Sequence, residues 1–323
     1  MNEAHSLWFQ ASGQASILNE HLPSLKKGWC EIQTLFSAVS PGTERLVLTG
    51  AVPSSLYDEM RCPYMAGGFS FPVKYGYSLV GIIKKGPKNR VGKRVHVMHP
   101  HQDRCIVRVE DTYPIPSQVP SQRAVLASNM ETAVTALWDS KIRMGEEALL
   151  VGFGIIGSLI ARLLQSCKGI HVTVTDTYPA KRKLAKNMGF NTALPEKKAH
   201  LFDLAFHTSG TSDGLQTAID SVSLEGRVIE VSWYGIHKVQ LSLGGNFHKG
   251  RKKIISSQVS RIPSSLQPRW DFNRRKKLVF ELLKDPSFDS HLTHHIAFSK
   301  LPQLFQILEK TPSEGLGYLI KYS

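Results

Sequence analysis

Residues 147–176 read EALLVGFGIIGSLIARLLQSCKGIHVTVTD, and this stretch decides the fold. Four apolar residues, Ala148 to Val151, lead into glycines at 152, 154 and 157. A helical run, Ser158 to Ser166, follows. A second strand-like run from His171 then closes on Asp176, nineteen residues after Gly157. Strand, glycine turn, helix and strand in this order, with the acidic residue at this spacing, read as a βαβ unit that binds a dinucleotide.

Each residue of the turn has a physical task. Gly152 allows the tight turn, Gly154 lets a pyrophosphate approach the backbone, and Gly157 lets helix and strand pack closely. With Phe153, Ile155 and Ile156 between them, these glycines form the expected phosphate cradle at a helix N-terminus, where free N–H groups and the dipole favour an anion. Asp176 would accept hydrogen bonds from the adenosine ribose hydroxyls. Its charge repels a 2′-phosphate, so NAD(H) is expected in preference to NADP(H). Lys181 and Arg182 could offset that repulsion.

Working outward, strand and helix continue to alternate. Leu201 to Phe206, Arg227 to Ser232 and Lys253 to Ser257 read as strands, and Pro179 to Met188 and Asp213 to Val222 as helices. The spacing predicts a doubly wound parallel sheet, a Rossmann-type α/β domain over residues 129–269. Residues 1 to about 125 are different in character, with short runs such as Cys30 to Phe36, Val80 to Ile83 and Arg94 to Met98 between Gly/Pro turns. They predict a β-rich domain over 1–128, completed by 270–323, where helices at Lys276 to Leu283 and Leu301 to Glu309 precede a last strand, Gly317 to Lys321. A helix from Glu131 to Ser140 joins the two regions.

Composition narrows the class. With 41% hydrophobic and 20% charged residues in 323, the chain can bury sizeable cores and is neither disordered nor fibrous. No stretch has about 20 unbroken apolar residues, and the first residues lack a basic and then apolar leader, so a cytoplasmic protein without a membrane partner is expected. Cys30, Cys62, Cys105 and Cys167 form no C-x-x-C pair and read as reduced, mostly buried thiols. The net charge is +14. It is concentrated between Gly244 and Lys277, where ten Lys or Arg face Asp271 alone. Such a patch attracts anions. No helix-turn-helix or aromatic-interleaved basic motif gives it a nucleic-acid geometry, so a small-molecule substrate is expected and no specific nucleic acid. Arg251 and Arg261 are the expected substrate-binding residues, because a guanidinium holds a carboxylate or phosphate bidentately.

The chain resembles the medium-chain dehydrogenase/reductase superfamily, the alcohol dehydrogenase-like proteins. The segments Ser37 to Glu44 and Lys74 to Gly81 carry the broad likeness. Asn129 to Ala133, Phe206 to Gly210, Val231 to Gly235 and Ser257 to Val259 resemble more narrowly the bacterial zinc-binding or threonine-dehydrogenase-like proteins and the bacteriochlorophyllide dehydrogenases. The resemblance implies a GroES-like catalytic domain beside the Rossmann domain, a homodimer or homotetramer, and Thr132, Ser209 and Trp233 at the cofactor.

The departures from the family matter most. Where its catalytic zinc has a Cys and a His, this chain has Ser40 and Tyr77. Ser78 replaces the neighbouring Glu, and the third ligand position falls near Ser128. The four-cysteine structural lobe is absent too, since residues 97–116 hold only Cys105. Hydroxyls are poor Zn²⁺ ligands beside thiolate, imidazole and carboxylate, so no zinc is expected. His96, His99 and His101 are expected as ordinary loop residues, and a metal site scattered over them and Glu131 stays open.

The reading is thus a zinc-independent, NAD(H)-dependent oxidoreductase moving hydride between the nicotinamide and an alcohol or carbonyl substrate. Thr43 and Tyr77 are expected to stabilise the developing alkoxide, and Glu131 to shuttle the proton. A quinone or enoyl reductase, and a dinucleotide-binding protein without turnover, remain as alternatives.

Overall fold

The computed structural model describes residues 3–195, 201–311 and 314–322. The chain divides into two compact units: Met1–Ser128 with Lys276–Ser313 and Gly317–Ser323, and Asn129–Arg275 with Glu314–Leu316. The second crossing between them falls at Arg275 and Lys276, not at residue 270. Among the described residues, no helix is long and apolar enough to cross a membrane.

The first unit is mostly antiparallel. Its central strand, Trp29–Val39, pairs with Leu79–Lys85, Arg104–Arg108 and Tyr318–Lys321. Cys30, Ile32, Leu79, Ile83, Val95 and Val107 pack into one buried cluster. Each aliphatic side chain so buried contributes about 1.5–3 kcal/mol. The last described strand, Tyr318–Lys321, lies between the central strand and the edge strand His294–Ala297, so residues far apart in sequence build the sheet together. A second sheet joins Gln14–His21, Glu3–Ala11, Val73–Lys74 and Ala66–Gly67.

In the second unit six strands form one sheet in the order Asn191–Ala193, His171–Thr175, Glu147–Val151, Phe202–His207, Val222–Glu230, Lys253–Ser256. Every pairing in it is parallel. The glycine-loop strand, Glu147–Val151, lies centrally, with the next two strands on one side and the later three on the other. That reversal is the topological switch point of a doubly wound sheet. Ala148 to Val151 are all buried, as a strand covered on both faces requires. Leu149, Val151 and Ala205 pack under the helix Ser212–Ser221 through Leu215, Ala218 and Ile219.

Three element boundaries differ from expectation for identifiable reasons. The helix placed at Ser158 begins at Ile155, with Gly154 as its N-cap. The third glycine is therefore inside the helix. The helix expected from Glu131 begins at Ala127. The strand expected at Arg227 begins at Val222, although Leu224-Glu225-Gly226 reads as a turn. Glu225 has φ +59°, and the pairing with Phe202–His207 shifts register there, so the irregularity is absorbed within the strand.

Candidate functional site

The glycine loop has the geometry of a phosphate cradle. Gly152 has φ +99°, and a Cβ there would come within 2.7 Å of the Ser209 nitrogen. A Cβ on Gly157 would stand 2.2 Å from the Gly152 carbonyl oxygen and 2.7 Å from Thr208 Oγ1. Both positions are closed to a side chain by backbone contact. Gly154 differs, because a Cβ there meets nothing within 4 Å. It caps the eleven-residue helix Ile155–Gln165 without a side-chain hydrogen bond to the first turn. The start of the helix is thus open on the side of Gly154, and first-turn N–H groups of a helix suit a pyrophosphate. Phe153 contributes its backbone only, for its ring is buried edge-on against Phe190.

Asp176 follows the neighbouring strand, beside the loop. Its carboxylate accepts from the Phe153 N–H (2.7 Å) and from the Tyr178 N–H (2.9 Å). The two backbone donors fix its direction, and a carboxylate has acceptor capacity beyond them. Lys181 feels the charge of Asp176, but its ammonium is bound elsewhere. Its side chain is buried and Nζ donates to the Gly315 carbonyl at 2.5 Å. Burial lowers its pKa to about 8. Arg182 Nη1 instead donates to the backbone carbonyls of Asp176 (2.5 Å) and Thr177 (3.0 Å).

In the first unit three hydroxyls meet. The Tyr77 phenol shares hydrogen bonds with the side chains of Ser40 and Thr43. Burial and the nearby Glu44 carboxylate raise the Tyr77 pKa well above the ordinary phenol value. The phenol therefore keeps its proton at neutral pH and serves as a donor. Thr43 and Glu44 lie on the helix Pro41–Leu48, and Ser40 is its N-cap. Glu44, fully buried, accepts from the Ser40 N–H (2.7 Å) and pairs with His101 Nε2 (2.9 Å). His101 Nδ1 reaches Ser37 Oγ at 2.7 Å, and Ser37 lies 2.9 Å from the Tyr322 hydroxyl.

Of the three histidines, His99 and His101 lie in a loop as expected and His96 in the strand Arg94–Val97, and all three are buried. His99 stacks on Tyr64, and His101 pairs with Glu44. They entered the core because each found an apolar or hydrogen-bonding niche that its own sequence neighbours do not reveal. Ser78 and Ser128 lie 3.3 and 3.4 Å from His96 Nε2. Among the described residues, no group of three or more His, Cys, Asp or Glu is placed to hold a metal ion. The hydroxyls at positions 40, 77 and 128 do not fit Zn²⁺ chemistry either.

Other expected residues have different surroundings. Glu131 is buried with Arg275, whose Nε lies 3.4 Å from Oε1, and Arg275 also donates to Thr135 and to the Val259 carbonyl. Its carboxylate is engaged in an ion pair, which argues against a proton shuttle. Thr132 lies on the helix Ala127–Ser140, and Trp233 in the segment after Val222–Glu230. Arg251 is exposed and paired with Glu225 at the amino edge of the parallel sheet, opposite the glycine loop. The premise that placed it near a cleft is corrected by that register. Arg261 is exposed. Arg275 and Lys276, two of the ten basic residues, are buried. Of the thiols, Cys30 and Cys105 are buried and Cys167 is exposed. A cavity of about 570 Å³ also opens at the amino edge, but its Arg227 is already held by Glu146 at 2.6 and 3.0 Å.

Sequence reasoning gave no role to Glu44, His207 and Glu230. Glu44 adjoins Thr43 in a segment already singled out, and an acidic residue beside an expected catalytic hydroxyl was the available signal. His207 and Glu230 close adjacent parallel strands, where ligands of such sheets bind.

No protein-family model matches the chain. It is 21% identical to the D-guloside 3-dehydrogenase of Escherichia coli (strain K12) over 244 residues, 70% of each chain. A short chain alcohol dehydrogenase of Escherichia coli CFT073, solved with NADH, superimposes with a TM-score of 0.77 at 16% identity, covering 99% of this chain and 100% of that one. Galactitol-1-phosphate dehydrogenase of Escherichia coli superimposes at 0.79 with 13% identity, covering 98% and 99%. Homologues and structural neighbours alike are alcohol-, threonine- and zinc-binding-dehydrogenase-like members of the medium-chain dehydrogenase/reductase superfamily, and this chain has their fold.

Proposed function

We propose that the chain is an NAD(H)-dependent oxidoreductase acting on an alcohol or carbonyl group without zinc. The observation that carries this reading is the open helix N-terminus at Gly154 beside the backbone-held carboxylate of Asp176. The relatives support the reaction class, since they are named as dehydrogenases of alcohols. Solved neighbours hold NADH in one case and NADP in another. Preference for NAD(H) rests on Asp176.

The nicotinamide supplies the hydride chemistry when bound. The chain's own residues bind and orient. The loop 152–157 and the helix it caps take the pyrophosphate, and Asp176 takes ribose hydroxyls. Tyr77, kept as a neutral phenol, holds a proton at its hydroxyl oxygen for a substrate oxygen, with Ser40 and Thr43 fixing its direction. Such donors replace a Lewis acid where a developing alkoxide needs stabilisation. An anionic substrate now rests on Arg261, because Arg251 has a partner in Glu225.

Calorimetric titration with NADH and NADPH tests the cofactor assignment, followed by turnover with alcohols, carbonyls, quinones and enones. NADH is expected to bind more tightly, with turnover on an alcohol–carbonyl pair. Failure to bind either cofactor would overturn the reading. Elemental analysis after dialysis is expected to find less than stoichiometric zinc, and one tightly held zinc per chain would refute zinc independence.

A further inference from the structure

Behind the hydroxyl cluster of the first unit, a run of hydrogen bonds leads from a buried carboxylate to a partly exposed tyrosine. Glu44 accepts the Ser40 N–H on one oxygen and faces His101 Nε2 at 2.9 Å with the other. His101 Nδ1 reaches Ser37 Oγ at 2.7 Å, and Ser37 Oγ lies 2.9 Å from the Tyr322 hydroxyl. Glu44, His101 and Ser37 are buried, whereas Tyr322 is half-buried, with Phe298 stacked on its ring at 4.6 Å. Elsewhere the His101 ring is closed in by Phe305, and a Cβ on Gly76 would stand 3.1 Å from its Cδ2.

This run can be satisfied in two directions. A carboxylate only accepts, so Nε2 faces Glu44 as N–H in either charge state of the ring. In the neutral ring Nδ1 accepts from Ser37, and Ser37 accepts from Tyr322, whose phenolic proton is retained because burial raises its pKa. In the imidazolium Nδ1 donates to Ser37, which donates to the Tyr322 oxygen. A hydroxyl both donates and accepts, so turning two hydroxyls exchanges one state for the other with every hydrogen bond kept.

Glu44 acts on Tyr77 through its charge, which opposes loss of the phenolic proton. Carbonyl reduction nevertheless takes that proton. Hydride ends on the carbonyl carbon, the carbonyl oxygen takes the proton of Tyr77, and a phenolate is left near a carboxylate. Two neighbouring anions disfavour each other unless a positive charge joins them. We propose that His101 takes up a solvent proton through Tyr322 and Ser37 as Tyr77 gives up its own, turning the Glu44–His101 pair from anionic to neutral beside the phenolate. His101 returns that proton by the same route when Tyr77 is protonated again from solvent. His101, Ser37 and Tyr322 are positioning residues, because they act on the substrate only through Tyr77. The inference rests on the oxidoreductase reading above and adds the groups that balance charge at its proton donor.

The other titratable groups nearby hold their states. Burial lowers the His99 pKa to about 4, which keeps it neutral, and burial raises the pKa of Cys62, Cys105 and Tyr75. Lys74, on the His99 side, is held by Glu20 at 2.6 Å, and Asp103, on the Tyr322 side, is paired with His5 at 2.8 Å.

The test needs neither substrate nor cofactor. Nitrogen NMR of protein with isotope-labelled histidine reads the protons of His101. A fluorinated tyrosine at position 77 ionises at lower pH than tyrosine, and fluorine NMR reads that step in the same sample. As the fluorophenol ionises, His101 is expected to gain a proton on Nδ1, against the direction of the rising pH. A ring that stays neutral throughout would overturn the proposal. Exchange of the His101 ring proton with water is expected to slow about tenfold in Tyr322→Phe and in Ser37→Ala, with His99 exchange unchanged. A structural role alone would open the site and speed exchange, so unchanged or faster exchange in these variants would also overturn it. Failure of the wild-type protein to bind NADH would overturn the oxidoreductase reading, and with it the catalytic use of the run, without altering either NMR result.

Discussion

The carboxyl edge of the parallel sheet and the hydroxyl cluster around Tyr77 are built on opposite plans. At the sheet edge the backbone acts first. Three glycines exclude side chains or leave space, and the carboxylate of Asp176 is held by two N–H groups within a short run of sequence. Around Tyr77 side chains act first. Ser40, Thr43, Glu44, Tyr77, His101 and Tyr322 come from distant segments and meet in the core. A site made of backbone announces itself by glycine spacing, whereas a site made of buried side chains depends on how strands are registered.

The contrast can be broken most sharply at Glu44. Glu44→Ala leaves His101 Nε2 without its carboxylate in a dry site and opens a void, which is expected to cost about 3–5 kcal/mol. Chemical denaturation measures this, and a loss below about 1 kcal/mol would mean the pair is not a structural keystone of the cluster.

Acid should separate the units next. Burial lowers the His99 pKa to about 4, from the ordinary 6.5. Between those values the unfolded chain binds a proton that the folded one refuses, so stability falls as pH drops from 6.5 through 4. The full effect is about 3 kcal/mol. His99→Phe preserves the stacking on Tyr64 and should flatten that limb of the stability curve. An unchanged acid limb would assign acid sensitivity to other groups.

At the sheet edge, Gly157→Val forces a side chain against the Gly152 carbonyl and is expected to destabilise by about 1–3 kcal/mol, with NADH binding lost. Wild-type stability in this variant would contradict the close packing of helix and strand. Asp176→Ala should narrow the NADH over NADPH preference by about tenfold, roughly 1.4 kcal/mol. Widening of the preference on Arg182→Ala would show that this arginine offsets the Asp176 charge. The smallest effect on stability belongs to Gly154→Ala. Its Cβ meets nothing, so stability should stay within about 0.5 kcal/mol while the methyl intrudes on the phosphate and weakens NADH. Unweakened NADH binding would move the pyrophosphate away from this loop.

The same division governs what could be read before the structure. The placement of Gly152, Gly154, Gly157 and Asp176 around one turn was legible because it follows from local turn geometry and a fixed offset. Alternating strand and helix likewise exposed the parallel sheet. The burial of His96, His99 and His101 was not legible, because their partners Ser78, Ser128, Tyr64 and Glu44 lie in other segments. Glu131 looked available for proton transfer until Arg275, 144 residues away, came to lie against it. Arg251 failed as a cleft residue for a related reason. Its place at the amino edge depends on the register in which Lys253–Ser256 joins Val222–Glu230.

By itself the sequence determined the βαβ core, its glycine turn and the absence of Cys and His from the positions where the resembled family ligates zinc. These are consequences of backbone freedom and ligand chemistry, which are properties of individual residues. Tertiary structure alone decided that Tyr77 remains a phenol beside Glu44, that Lys181 is buried against the Gly315 carbonyl, and that Ser209 is aimed by His207 and Glu230. Each of these depends on desolvation and on a partner distant in sequence or on an adjacent strand, and both arise only when the chain has closed around them.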